Sequence, residues 1–484
     1  MVNKADLVRI SEFAWELPKG YRRDMKVPAR IYASERLLEM AFQDKTMEQL
    51  VNTAALPGVV KHVLVMPDAH QGYGLPIGGV VATRYPDGVI SPGGVGYDIN
   101  CGVRLMASEL IADEVRDQAS GLISALFRNI PSGVGKGGGA RAVPAREMDQ
   151  VLVKGAAWAV KAGYGRPEDL ERLEEGGSMA GADPSAVSPR AKQRGGPQLG
   201  TLGSGNHFIE IQKVDEIYDD EVARAFGLFE GQLAVSIHSG SRGLGHQVCG
   251  DYVKELQEAV RKYNIELPDR QLVCAPLSSP EGRRYYGAMV SAANYAWANR
   301  QCMAHLARRS FEEVLAGKVR NFDLHTVYDV AHNIAKIEDH VVGGKRIKLC
   351  IHRKGATRAF GPGHPEVTRV YRDVGQPVLV PGDMGTASYV LVGTADAMEE
   401  SFGTCCHGAG RTMSRRAAKK KIHGGTLRRE LEEQGIQVRA ASMAGLAEEA
   451  PDAYKDIEAV VEVVHGAGLA RKVARLRPMA VMKG

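Results

Sequence analysis

Histidine, cysteine, aspartate, glutamate and asparagine residues lie in glycine-rich turns between short apolar strands, where functional side chains are common. Imidazole, thiolate and carboxylate groups are the donors of Zn²⁺, Mn²⁺ and Fe²⁺ sites. Any one of these residues alone is more often a buried, hydrogen-bonded group, but their repetition in tight turns favours a shared site. The residues are Asp68, His70, Asp98, Cys101, Asn206, His207, Glu210, His238, His332, Asn333 and His407.

Asp98 and Cys101 favour a centre with two metal ions. They are three residues apart across the turn GYDINCG, so both side chains can face one point, and a thiolate can bridge two ions. His207, His238 and His332, from distant turns, would complete three donors around each ion and leave positions for phosphate oxygens. A closed zinc site would show CxxC or CxxH pairs. The alternative is that Cys101 is a small buried apolar residue.

His407 differs from the other histidines because it lies in CCHGAGR, followed by a basic segment. Small residues allow a ligand to approach closely, and a helix N-terminus with arginines favours bound phosphate. His407 could therefore be a metal ligand, a general base or a nucleophile toward phosphorus. Its position alone does not choose among these roles.

The elements that position these residues are expected to form one α+β domain over residues 1–484, because no compositional break separates folding units. Residues 1–60 are interpreted as a lead-in with helices around Ser34–Gln49 and Thr46–Leu56, followed by strands and turns from Val63 to Val103. Further helices are predicted at 110–180, 248–265, 286–316, 411–421 and 427–434, and a short tail at Val481–Gly484.

The glycine-rich run Gly133–Gly139 has the composition of a phosphate loop but not the spacing. Lys136 is followed by Gly137, so the Walker pattern fails. We predict a flexible loop there.

Composition indicates a folded protein, since 44% of the 484 residues are apolar and 25% are charged, which excludes a disordered or collagen-like chain. The net charge is only +5, but basic residues cluster between Arg411 and Lys421, as on a solvated helix face or a nucleic-acid contact. The sequence has no apolar stretch of 18 residues and no leader pattern, and its seven cysteines lack CxxC spacing. We therefore expect a cytoplasmic protein without membrane spans or a disulfide framework.

Six ordered motifs together resemble the RtcB family of RNA-splicing and RNA-repair ligases. The resemblance runs from about Met66 to Lys483–Gly484, and it implies an α+β fold with one central cleft. The motifs are GYDINCGV, GNHFIE, HSGSRGLGHQ, YDVAHNIAK, HRKGATRAF and CHGAGR.

The resemblance implies a reaction and a ligand set. RNA ends with a 2′,3′-cyclic phosphate or 3′-phosphate would be joined to 5′-hydroxyl ends, with GTP as cofactor and a guanylate carried on His407. Two Mn²⁺ ions would be bound by Asp98, Cys101, His207, His238 and His332, with Cys101 bridging. The implied guanylate contacts are Asn206, His207, Phe208, Ile209, Glu210, His332, Asn333, Pro381, Gly382, Asp383, Met384, Ser388, His407, Gly408, Ala409, Gly410, Tyr454 and Lys483.

Residue chemistry adds to this assignment. Glu210 suits the hydrogen-bond donors of guanine, and Lys483 suits its acceptor. Asp383 stands where some relatives carry Ser, and its carboxylate would repel phosphate. Asp383 is therefore a weaker candidate for a guanylate contact than Ser388. Candidate RNA contacts are Asp68, Arg242, Lys354, Arg411 and Arg415. Asp68 resembles a family residue near the reacting ends, and its alternative role is to cap a turn.

The expected partners are tRNA halves and a small acidic activating protein similar to archease, with the chain itself a monomer. One alternative function is a two-metal cyclic phosphodiesterase or metallohydrolase that uses no nucleotide. Another is a nucleic-acid-binding or scaffold protein with a structural metal, whose RNA binding would depend on salt but not on GTP.

Overall fold

The strands and helices form a mixed α+β fold, as predicted, in a computed structural model that describes residues 2–320 and 322–484. The strands are β1 (Val8–Arg9), β2 (Ala14–Leu17), β3 (Ala29–Tyr32), β4 (Val63–His70), β5 (Ile77–Arg84), β6 (Val89–Ile90), β7 (Gly102–Ile111), β8 (Phe208–Ile217), β9 (Gln232–Ser239), β10 (Ala275–Pro276), β11 (His325–Ala331), β12 (Asn333–Val342), β13 (Lys345–Lys354), β14 (Ala356–Arg358), β15 (Pro377–Val380), β16 (Ser388–Gly393), β17 (Thr404–Cys406), β18 (Gln437–Ala440) and β19 (Ala470–Lys483). The α-helices are α1 (Glu35–Ala41), α2 (Thr46–Thr53), α3 (Ala119–Asn129), α4 (Ala145–Lys161), α5 (Pro167–Leu170), α6 (Pro189–Gly195), α7 (Asp220–Phe226), α8 (Arg242–Lys262), α9 (Pro280–Leu315), α10 (Ala395–Glu400), α11 (Arg415–Lys421), α12 (Gly424–Glu433), α13 (Met443–Glu448) and α14 (Ile457–Gly466).

Two large, mainly antiparallel sheets support the site. The first has the strand order β1-β2-β3-β4-β5-β13-β12, and the second has the order β11-β7-β9-β8-β19-β16-β15, with β18 parallel to β19. A single residue, His332, separates β11 of the second sheet from β12 of the first. The chain therefore passes from one sheet to the other at a predicted metal ligand.

The starts of two strands and the ends of two others lie together on one side of the second sheet. β7 is antiparallel to both β9 and β11, and β8 is antiparallel to β9. The starts of β7 and β8 therefore lie at the same edge as the ends of β9 and β11. In this register His238 stands opposite both Val103 and Phe208. Strand pairing thus brings the turns around Cys101, His207 and His332 to one place.

Helix α9 is the main support beneath this edge. It begins at Ser279, whose side chain accepts the N–H of Gly282, with Pro280 in the first turn, a favourable start for a helix. Many alanines along α9 allow close packing, and it contacts α3, α4 and α8. Trp297 and Arg300 in its middle are fully buried. The helix predicted at 286–316 is confirmed and begins earlier.

The predicted C-terminal tail is wrong. Residues Ala470–Lys483 form β19, which pairs with β8 on one side and β16 on the other. Its last part is apolar on both faces, as is typical of a central strand, and Met482 is fully buried. Pro478 stands at a register shift, where a missing N–H is tolerated.

Residues 1–60 were predicted to be a lead-in, but they contribute strands to the first sheet. Strands β2 and β3 extend the first sheet through β4, and α1 and α2 are shorter than the two predicted helices. Among the residues that the structure describes, no helix has both the length and the apolar character needed to cross a membrane. All seven cysteines are buried and free.

Candidate active site

One cavity of about 1210 Å³ collects almost all of the predicted site residues. The predicted residues that line it are Asp98, Cys101, Asn206, His207, Phe208, Glu210, His238, Arg242, His332, Asn333, Lys354, Pro381, Gly382, Asp383, Met384, His407, Gly408, Ala409, Gly410, Arg411, Arg415, Tyr454 and Lys483. Three others do not line it: Asp68 lies behind His407, Ile209 faces the core, and the Ser388 hydroxyl accepts a hydrogen bond from Gln212.

Ligand-type side chains converge around Cys101. Its Sγ lies 3.2 Å from His238 Nε2 and 3.4 Å from His207 Nε2. His238 Nε2 is 3.2 Å from His332 Nε2, and His207 Nε2 is 2.8 Å from Asp98 Oδ2. Such separations suit atoms bound to one ion at about 2.0–2.3 Å. The atoms form two groups that share the thiol, so the donor set fits two bridged metal ions.

Burial controls the protonation of these ligands. It lowers the pKa of His238 and His332 well below the usual value, so both imidazoles are neutral and can donate a lone pair. Burial, reinforced by Asp98, raises the pKa of the Cys101 thiol well above its usual range. The thiol therefore needs a neighbouring cation to become the thiolate that binds metal, and metal binding would release its proton.

His407 is held by Asp68 of β4. The backbone N–H and the Nδ1 of His407 both lie against Asp68 Oδ2, at 3.0 and 2.5 Å. Because the carboxylate accepts the Nδ1 proton, Nε2 is the ring nitrogen with a free lone pair. The His407 ring also lies 5.2 Å from the His332 ring, centre to centre. The His407 ring therefore lies beside the metal-ligand group.

Gly410 allows the His407 segment to approach Asp68. Its φ is +74°, and a Cβ there would lie 2.0 Å from the Asp68 carbonyl oxygen. Any larger residue would push the two segments apart. The neighbouring His70 lines the cavity, and burial lowers its pKa to about 4.

Lys455 is a site residue that the sequence did not reveal. Its Nζ donates to the carbonyl oxygens of Pro67 and Ala69, at 3.1 and 2.5 Å, on either side of Asp68. Burial opposes ionisation of Asp68, but His407 and Lys455 hold its pKa below the usual value. Lys455 stands outside any glycine-rich turn, and only its neighbour Tyr454, which the family resemblance implicates, could have drawn attention to it.

Glu210 and Lys483 line the cavity from neighbouring strands β8 and β19. Burial raises the pKa of Glu210 to about 8, with Lys483 opposing and Asp383 adding to the shift. Asp383 is occupied within its own turn, where it accepts from the Gly385 N–H at 2.8 Å and the Thr386 hydroxyl at 2.9 Å.

Three of the predicted basic RNA contacts already have partners in the protein. Lys354 Nζ donates to the carbonyl oxygens of Tyr73, Leu75 and Gly93, and burial lowers its pKa to about 7. Arg411 and Arg415 form ion pairs with Glu449, at 3.2 and 3.0 Å, and Arg415 also lies 4.0 Å from Glu448.

Arg242 is bound less firmly. Its contacts to the Thr201 hydroxyl and to His207 Nδ1 are both 3.4 Å long, and the residue lines the cavity with its guanidinium packed against Gly203. Across the cavity, the run Gly133–Gly139 forms an irregular loop whose Val134 and Gly135 line the wall.

In comparisons with known proteins, one family matches nearly the whole chain. The sequence model of the family described as tRNA-splicing ligase RtcB matches residues 49–484. The tRNA-splicing ligase RtcB of Thermococcus kodakarensis is 58% identical over 478 residues, which are 99% of each chain. The proteins of the same name from Archaeoglobus fulgidus and Methanococcus maripaludis are 56% and 51% identical, over at least 99% of each chain.

Proposed function

This chain belongs to the RtcB family of tRNA-splicing ligases, and we propose that it joins RNA ends bearing a 2′,3′-cyclic phosphate or 3′-phosphate to 5′-hydroxyl ends, with GTP as cofactor. The chain is therefore an enzyme, an RNA ligase. Its natural substrates would be tRNA halves, and a small acidic protein would assist turnover of the monomer.

The observation that carries this proposal is the contact between Asp68 and His407. With Nδ1 held by the carboxylate, Nε2 is the free ring nitrogen, and the residue lines the cavity next to His332. A neutral imidazole held in one tautomer is a competent nucleophile toward phosphorus. A carboxylate can orient a general base in the same way, and membership of the RtcB family favours the nucleophile.

Two Mn²⁺ ions would be held by the groups that share Cys101, namely Asp98, Cys101 and His207 for one ion and Cys101, His238 and His332 for the other. Bound there, they would neutralise the triphosphate and the RNA 3′-phosphate. The protein's part is to keep His238 and His332 neutral by burial and Asp98 ionised.

Glu210 and Lys483 would select guanine. An ionised Glu210 can accept the N1–H and N2–H of guanine, and Lys483 can donate to O6. Since burial raises the pKa of Glu210, it would give up a proton when guanine and Lys483 approach. Adenine lacks these groups, and a buried, unpaired Glu210 and Lys483 would disfavour it.

From a 3′-phosphate end the reaction would proceed in three displacements, and a 2′,3′-cyclic phosphate end would first be opened by water to the 3′-phosphate. His407 Nε2 attacks the α-phosphorus of GTP, so a P–N bond forms while pyrophosphate leaves, and Asp68 stabilises the charge on the ring through Nδ1–H. An oxygen of the RNA 3′-phosphate then displaces His407 and takes the GMP. Finally the 5′-hydroxyl oxygen attacks the RNA 3′-phosphorus and GMP leaves.

The contacts described above refine the proposed RNA-binding roles. Arg242 is the strongest candidate for a phosphate contact because its present contacts are long. Lys354, Arg411 and Arg415 would instead brace the cavity wall through their carbonyl and Glu449 partners. Asp68, with no exposed surface, would orient His407 and not touch RNA.

Labelling with radioactive GTP tests the proposal. Incubation with α-labelled GTP and Mn²⁺ should leave label on the protein that survives base and is lost in acid, as expected of a phosphoramidate. The variant His407→Ala should take up none, while His465→Ala, at the end of α14, should label normally. Undiminished labelling of His407→Ala would refute the nucleophile. Labelling absent from the wild type, with cyclic phosphate still opened, would favour the nucleotide-independent phosphodiesterase.

A further inference from the structure

Three aromatic side chains form a row in the cavity wall. The Tyr73 ring lies 5.6 Å from the Tyr97 ring at 67°, and the Tyr97 ring lies 5.2 Å from the His246 ring at 32°. The two tyrosines are half-buried, His246 is exposed, and all three line the cavity. Each ring therefore offers surface to a ligand, although the proposed guanylate contacts include none of them.

The row stands directly beside the metal-ligand group. Tyr97 immediately precedes Asp98, whose Oδ1 accepts the N–H of Ser241 at 3.1 Å. Helix α8 begins at the next residue, Arg242, so Arg242 and His246 are four residues apart on one helical face. An RNA end with its phosphate at the metal site and Arg242 would have its base near these rings.

The surroundings suit a nucleobase. Unpaired RNA is commonly bound by stacking bases on aromatic rings beside arginines. Arg194 lines the same cavity and is held by Gln247, the residue after His246. The cavity, at about 1210 Å³, exceeds the roughly 300–1,000 Å³ of a typical small-ligand pocket, which leaves space for an RNA end beside a nucleotide.

We propose that Tyr73, Tyr97 and His246 form a stacking platform for the nucleobase of a terminal RNA nucleotide. This rests on the proposed function and adds to it a contact with the base itself. Because every base has a π face, the platform tolerates any terminal base. The last base of the 3′-phosphate strand and the first base of the 5′-hydroxyl strand present the same chemistry.

Substitutions that remove the aromatic rings test the platform. Tyr97→Leu, and separately the double variant Tyr73→Leu/His246→Ala, should raise the KM for RNA about tenfold. Tyr97→Phe keeps the ring and should restore the wild-type KM. Tyr218→Leu, at an exposed tyrosine outside the cavity, is the matched control. Labelling with GTP needs no RNA and should proceed at the wild-type rate, which checks the fold and the metal centre.

Modified RNA ends identify the base and decide the outcome. An abasic terminal nucleotide should raise the KM of the wild type about tenfold but leave the KM of the leucine variants unchanged, because the lost contact is the same. 2-Aminopurine at the last base of one strand or the first base of the other should be quenched by the wild type and less by Tyr97→Leu.

Response in either arm supports the platform. If both leucine variants bind and quench like the wild type while GTP still labels the protein, the platform is wrong and the proposed function stands. Absence of GTP labelling in the wild type would instead overturn the proposed function.

Discussion

His407 lines the cavity and has one free ring nitrogen because Asp68 holds the other. The geometry resembles any catalytic pair in which a buried carboxylate fixes a tautomer and stabilises the ring when it becomes charged. Lys455 has a part in this arrangement, since its Nζ anchors the carbonyl groups on either side of Asp68 and its charge favours the ionised carboxylate.

Replacing Asp68 by asparagine should slow transfer of GMP to His407 by about 10²–10⁴-fold. An amide can present its N–H₂ to Nδ1, which favours the wrong tautomer, and it lacks the charge that stabilises the guanylylated ring. The rate of GTP labelling measures the effect. The affinity for Mn²⁺ should stay near that of the wild type, because Asp68 contacts His407 and not the proposed metal ligands. A rate within threefold of the wild type would contradict the orienting role.

Individual site residues could be predicted from sequence to different degrees. Asp98 and Cys101 could be argued from donor chemistry and the spacing of one turn. The orientation of the Lys354 side chain could not be predicted, because its carbonyl partners come from distant turns that only the fold brings near it. Asp68 was predicted as an RNA contact near the reacting ends, but the structure buries it against His407, a partner far away in the sequence that no local pattern identifies.

At the scale of elements, helix α9 fixes the ligand turns through Arg300. This guanidinium donates to the carbonyl oxygen of Asn100, at 2.8 Å, and to that of Ser239, at 3.0 Å. These residues adjoin Cys101 and His238 in the chain. Arg300 also pairs at 2.7 Å with Asp329 of β11, which leads to His332. One side chain thus joins three of the segments that carry ligands.

Arg300→Lys should lower Mn²⁺ affinity about tenfold, as is common when groups that orient metal ligands are changed. A single ammonium cannot span the acceptors that the planar guanidinium reaches. Isothermal titration with Mn²⁺ measures the change. The matched control is Arg308→Lys on the same helix, which pairs with Asp169 away from the ligands and should alter stability without altering affinity. Equal loss of affinity in both variants would mean that α9 acts only through general stability.

Secondary structure was predictable where local patterns dominate. The strands near Val63–Arg84 and helix α9 have clear apolar patterns and turn signals, whereas β19 did not, because basic residues interrupt its first half and Pro478 stands within it. Its place between β8 and β16 depends on pairing with strands that precede it by tens or hundreds of residues. Such long-range pairing leaves little trace in a local window of sequence.

For the whole molecule, the metal groups link the turns of the second sheet with His332, where the chain enters the first. Chelation should therefore lower the melting temperature, and Mn²⁺ should restore it. An ion at 100 times its Kd stabilises the native state by about 2.7 kcal/mol. Differential scanning calorimetry with and without Mn²⁺ measures this, with Cys101→Ala as the comparison. An equal rise in Cys101→Ala would show that the ion binds elsewhere.

The crossing at His332 also has a kinetic meaning. The ligand turns lie at residues 98–101, 207, 238 and 332, so the complete set forms only when β7, β8, β9 and β11 of the second sheet have paired. Closing such long loops is slow and requires most of the chain to be in place. We therefore expect the metal ions to be captured after these four strands have paired, so that metal loading reports on assembly of the second sheet.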